Sequence, residues 1–130
     1  MATSAPTRLK IALAQANPTL GDLDANAAPY QPSITVVQSS VELYVQQRGI
    51  RKLPTLVLDP PRTGMSREAM SGVLALTPPR VVYVSCDLAT VARDVRRFVE
   101  AGYTLEHIEA FDLFPNTAHV ETLVVLTKSG

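Results

Sequence analysis

The strongest constraint on the fold is a pairing that occurs twice in the second half of the chain: an uninterrupted apolar run followed by a segment with helical periodicity. "PTLVLD" (54–59) precedes "SREAMSGVLAL" (66–76), and "RVVYVSC" (80–86) precedes "LATVARDVRRFVEAG" (88–102). A strand with one wet face alternates apolar and polar residues, whereas a strand apolar on both sides belongs in a parallel sheet covered on both faces. Alternating strands and helices join such strands by crossovers, so the expected class is α/β with a mainly parallel sheet. Ser66 is the expected N-cap of the first of these helices, and Gly102 the residue that ends the second.

Two later runs, "YTLEHIEAFDLF" (103–114) and "HVETLVVLTK" (119–128), are separated by "PNTA" and read as an antiparallel pair completing one sheet edge. Toward the N-terminus, "LKIALAQ" (9–15) and the β-branched "SITVVQ" (33–38) read as short strands. "SVELYVQQRG" reads as a short helix opened by Ser39 or Ser40 and closed by Gly49. Pro18, Gly21, Pro29 and Pro32 exclude a long helix between the two N-terminal strands.

The 130 residues suffice for one modest core. Twelve basic residues balance twelve acidic ones, which argues against non-specific nucleic-acid binding by charge alone and leaves local recognition open. The single cysteine, Cys86, rules out an intramolecular disulfide and a cysteine-based zinc cluster, and fits a reducing compartment. No run reaches the ~18 apolar residues of a membrane span, and the N-terminal apolar run is too short for a signal peptide. The expectation is a soluble, cytoplasmic protein without membrane contact.

In open parallel sheets, ligands collect at the carboxyl ends of the strands. Two unusual segments fall there. "DPPRTG" (59–64) combines a strand-end carboxylate, Asp59, with a proline-stiffened turn and Arg62. Taken alone it is a rigid turn; taken together its groups suit a planar polar ligand. "SCDLATVARD" (85–94) places Cys86 at the next strand end, just before a helix whose N-terminus favours anions. By residue type alone Cys86 reads better as a buried structural residue. In "FPNTAHVET" (114–122), Glu121 reads first as an exposed edge-strand residue, and near a thiolate it reads as a general base. Pairing Cys86 with His119 as a hydrolase dyad lacks a recognisable oxyanion hole, and His107 reads as a surface residue.

These segments, in this order, resemble the RNA uracil-5-methyltransferases, class I enzymes that use S-adenosyl-L-methionine. "LVLDPPRTGMS", "PPRVVYVSCDLATVARD" and "AGYTLEHIEAFDLFPNTAHVETLVVL" carry the resemblance over roughly residues 54–127. It implies a partial Rossmann-like sheet, a uridine in rRNA or tRNA as substrate, and Cys86 as the nucleophile that adds to uracil C6. It further implies Glu121 as the general base that removes the C5 proton, and Asp59 between the cofactor and the target uracil. Arg62, Phe114 and Thr117 would line the substrate pocket, with Ser40 and Gln15 on the cofactor side. Leu88 stands where the family commonly has proline, and Ser40 where it usually has an acidic residue.

No glycine-rich loop of the kind that holds S-adenosyl-L-methionine occurs in residues 1–53. The resemblance therefore implies the C-terminal half of a catalytic domain (33–130) behind an atypical N-terminal segment (1–32), with a missing N-terminal half or a partner chain supplying the rest. Residues 9–28, "LKIALAQANPTLGDLDANAA", also resemble the opening of nitrilase-like amidase domains, without that family's downstream glutamate, lysine and cysteine motifs. Three readings follow: an RNA methyltransferase that is incomplete alone, a non-catalytic α/β interaction module, and an amidase fragment.

Overall fold

The computed structural model describes residues 11–13, 34–36, 39–47, 53–113 and 115–128. The chain divides into two compact units, residues 1–47 and 48–130. In the first, β1 (Ile11–Leu13) and β2 (Ile34–Val36) pair in parallel, and α1 (Val41–Gln47) follows. Ser40 is the residue that opens α1: its hydroxyl accepts from the Leu43 amide at 3.3 Å and its carbonyl from the Tyr44 amide at 2.9 Å.

The second unit contains β3 (Leu56–Leu58), α2 (Arg67–Leu76), β4 (Arg80–Ser85), α3 (Leu88–Glu100), β5 (Thr104–Phe111) and β6 (Glu121–Thr127). Its four strands lie in the order β3-β4-β6-β5. β3 and β4 run parallel, as two strands joined by a helical crossover must. β6 enters antiparallel between β4 and β5, so the expected C-terminal pair does complete an edge, with β5 outermost.

Local chemistry fixes the helix ends. Ser66 caps α2, accepting from the Ala69 amide at 3.0 Å. α3 stops in a Schellman turn at Gly102, which has φ +89°. There the Tyr103 amide reaches the Phe98 carbonyl and the Gly102 amide the Val99 carbonyl, both at 3.0 Å. The apolar contact that accompanies such turns is the edge-to-face pair of Phe98 and Tyr103, with ring centroids 5.4 Å apart. Tyr103 also donates its hydroxyl to the Pro78 carbonyl at 2.8 Å, tying the end of α3 to the start of β4.

Most of this unit's core lies on one side of the sheet, with Val125 of β6 buried on the other. Val81, Tyr83 and Ser85 of β4 and Thr122, Val124 and Leu126 of β6 are buried on the first side with Phe98 of α3. Burying a residue such as Phe98 contributes roughly 1.5–3 kcal/mol. The other side differs from the expectation of complete cover. Val57 of β3 is 63% exposed, and Val82 and Val84 are half-buried. The described elements of this unit include none that closes over Val57, so its apolar character has no partner among them. Among the described residues, no helix is long and apolar enough to cross a membrane.

Candidate active site

Strand register assembles the site. Because β3 and β4 are parallel, with Leu58 opposite Tyr83, Asp59 and Cys86 both emerge at the carboxyl edge of the sheet. The antiparallel pairing of β4 with β6 ends at Ser85 opposite Thr122. One step further along the same register, Cys86 stands level with Glu121. Antiparallel neighbours at such positions have Cα atoms about 4.5–5.5 Å apart and share a face. Ser85 and Thr122 turn into the core, so alternation puts Cys86 and Glu121 on the opposite, more open face, where both are half-buried. His119 is half-buried two residues before Glu121, its amide 3.3 Å from the Thr117 hydroxyl. His107 is exposed on β5 beside Glu109.

Asp87 follows Cys86 directly and caps α3. Its carboxylate accepts from the Thr90 amide at 2.9 Å, and its own amide donates to the Ser85 hydroxyl at 3.3 Å. The hydrogen bond from Thr90 and, secondarily, the charge of Arg62 hold the Asp87 carboxyl below the usual range. Leu88 occupies the first helical position, exposed, so the strand-to-helix turn forms without the proline usual in the family. Arg62, expected to meet substrate, places its Nε 3.6 Å from Asp87 and remains largely exposed.

Sequence reasoning missed the buried carboxylate of Asp94. It is fully buried, yet accepts from the Met65 amide at 2.9 Å, the Tyr83 hydroxyl at 2.7 Å and Arg93 Nε at 2.9 Å. Arg93 also donates to the Thr63 carbonyl, and Thr90 donates its hydroxyl to the Arg62 carbonyl, both at 2.9 Å. Burial pushes the Asp94 carboxyl up; the donors from Arg93, Met65 and Tyr83 outweigh it and leave the group below its ordinary value. A signal was present: Thr90, Asp94 and Phe98 recur at i, i+4 and i+8, placing a charge on the buried stripe of an amphipathic helix.

Asp59 is exposed at the sheet edge and Thr117 is exposed in the 115–120 turn. Ser40 belongs to the first unit, where its hydroxyl accepts the α1 capping bond. Gln15, Phe114 and all of 9–28 except Ile11–Leu13 lie outside the described residues.

Comparison with known proteins shows the family. The family model described as tRNA (Uracil-5-)-methyltransferase matches residues 46–129. The chain belongs to this family. It is 49% identical over 73 residues to an uncharacterized RNA methyltransferase of Thermotoga maritima, covering 56% of the chain and 17% of that protein. It is 36% identical over 109 residues to another from Streptomyces avermitilis, covering 84% of the chain and 25% of that protein. The chain thus spans a quarter or less of the length of these relatives. The Pyrococcus abyssi tRNA (uracil-54, C5)-methyltransferase, solved with S-adenosyl-L-homocysteine, superposes with a TM-score of 0.66 at 29% identity, over 79% of this chain and 24% of that one. A precorrin-6y C5,15-methyltransferase of Geobacter metallireducens, 16% identical with a TM-score of 0.65, covers 92% of this chain and 67% of that one, and shares the fold.

Proposed function

We propose that this uracil-5-methyltransferase family chain carries the catalytic half of an S-adenosyl-L-methionine-dependent site that methylates uridine C5 in rRNA or tRNA. The observation that supports this most is the β4-β6 register, which, continued one step past Ser85 and Thr122, sets Cys86 level with Glu121 at the carboxyl edge of β4. Uracil C5 is a poor nucleophile while the ring is conjugated, so covalent addition must come first. The Cys86 thiolate forms a bond to C6, and the C5–C6 π pair moves into an enolate centred on C5 and O4. When bound, S-adenosyl-L-methionine would supply the electrophilic methyl group for C5, its sulfur keeping the electron pair of the bond given up. Glu121 accepts the C5 proton, the C5–C6 double bond re-forms, and the bond to Cys86 breaks, returning the thiolate. The base must leave its stack for both side chains to reach it.

The described residues fit the reacting end of that donor: Asp59 offers an exposed carboxylate at the carboxyl edge of β3, on the strand next to Cys86. The adenosine end, as the resemblance assigns it, falls on Ser40 and Gln15 and on sequence beyond this chain's match.

RNA containing 5-fluorouridine, supplied with S-adenosyl-L-methionine, tests the mechanism, because fluorine at C5 cannot leave as a proton and the adduct persists. The expected outcome is a covalent protein–RNA band that disappears in Cys86→Ser. Glu121→Gln should accumulate an adduct on ordinary uridine RNA, since its C5 proton then stays in place. No band in the wild type, alone or with the N-terminal part of a relative added, would favour the interaction-module reading.

A further inference from the structure

We infer that Asp94 is a positioning residue of this site: its buried carboxylate, with Arg93 and Thr90, latches the backbone of residues 62–65 to the helix that starts two residues after Cys86. This rests on the proposed chemistry for its purpose, and on hydrogen bonds of this chain for its existence.

The two segments that bring Asp59 and Cys86 to the sheet edge follow different strands, and nothing in the pairing of β3 with β4 fixes the loop beyond Leu58. The latch does so at residues 62, 63 and 65. Thr90 holds the Arg62 carbonyl, Arg93 the Thr63 carbonyl, and Asp94 the Met65 amide. Tyr83, on the strand that leads to Cys86, donates to the same Asp94 oxygen that takes the Met65 amide. One carboxylate oxygen therefore joins the loop after β3, the strand before Cys86 and the helix after it.

The loop is shaped for this closeness. Gly64 sits at φ +79°, its amide 2.7 Å from the Pro61 carbonyl, and a Cβ there would overlap Arg93, Thr90 and Asp94 together. Only a residue without a side chain lets the loop lie against the helix. A stabilising cluster could sit anywhere in the core; this one contacts residues 62, 63 and 65, between Asp59 and the start of α2.

The test uses amide exchange by NMR on the 130-residue chain, with a nitroxide attached at its single cysteine. In folded Asp94→Asn, the Met65 and Gly64 amides should exchange faster by about tenfold while Val124 and Leu126 in the sheet keep their rates. The nitroxide at Cys86 should broaden the Thr63, Gly64 and Met65 amides less in the variant than in the wild type. Uniformly faster exchange along the chain would reduce Asp94 to a general stabiliser, and unchanged exchange at residues 64 and 65 would remove the latch. Thr90→Val and Gly64→Ala, which remove a tie or separate the surfaces with Asp94 intact, should loosen the same amides and keep the idea testable if Asp94→Asn does not fold. Neither measurement needs RNA or a methyl donor, so a failed capture experiment and a failed latch are told apart.

Discussion

At the scale of single residues, Asp94 and Tyr83 link the stability of this fold to pH in opposite directions. Asp94 has a folded pKa below its unfolded one, near about 3.9. Such a carboxyl contributes stability above the unfolded value and loses it as pH falls through the folded value. Tyr83 behaves oppositely: burial first, then its hydrogen bond and proximity to Asp94, push its phenol far up. Its contribution is complete below the unfolded value of about 10 and fades as pH rises through the folded one. Thermal midpoints followed by circular dichroism should therefore hold level between these limits and fall on both sides. Asp94→Asn should flatten the fall below about pH 4, and Tyr83→Phe should reduce the fall above about pH 10 without abolishing it, because burial raises Tyr103 too. An acid limb unchanged in Asp94→Asn would show that other carboxylates dominate it. The places of Cys86 just past a strand end and of Glu121 at the start of a strand were legible in the sequence, whereas the burial of Asp94 was not. Two of its three donors, Met65 and Tyr83, are distant in sequence, and residue type alone makes a helical aspartate look solvated.

The helices show how much element-level structure the sequence carries locally. Ser66 has an extended backbone and accepts the Ala69 amide, so one hydroxyl defines where α2 starts. Ser66→Ala should cost about 1 kcal/mol of unfolding free energy, measured by denaturant titration, because the Ala69 amide then has only water to meet it. A loss near zero would mean that packing of Ala69, Met70 and Val73 alone fixes the helix start. Capping residues and the terminating glycine were readable because their partners lie within a few positions. Which of Ser39 and Ser40 opens α1 was not, since both hydroxyls lie close to the first turn; Ser39 instead donates to the Ser40 carbonyl at 3.0 Å. The strand order was only partly readable. Apolar runs announced β3 and β4 as parallel neighbours, but the place of β6 between β4 and β5 depends on long-range pairing.

For the whole molecule, the decisive question is how much of a methyl-donor site these residues make. The α/β class followed from strand and helix periodicity, and the family from motif order. Full cover of the sheet did not follow, because an apolar strand reports the environment it was selected for and Val57 remains exposed among the described elements. The same reasoning bears on cofactor affinity. Holding the adenosine and methionine ends of S-adenosyl-L-methionine requires close backbone approach, which glycine-rich loops permit. Residues 1–53 contain glycine only at Gly21 and Gly49, with no glycine-rich cluster. The 130-residue chain should therefore bind S-adenosyl-L-methionine more weakly than ~10 μM, above which affinity range the binding free energy falls short of about −7 kcal/mol. Isothermal titration calorimetry with the purified chain checks this. Saturable binding near 1 μM, where the free energy reaches about −8.2 kcal/mol, would overturn the expectation that the glycine-poor sequence leaves the donor weakly held. Weak binding that tightens when the N-terminal region of a relative is added would instead identify that region as what the Cys86–Glu121 edge requires.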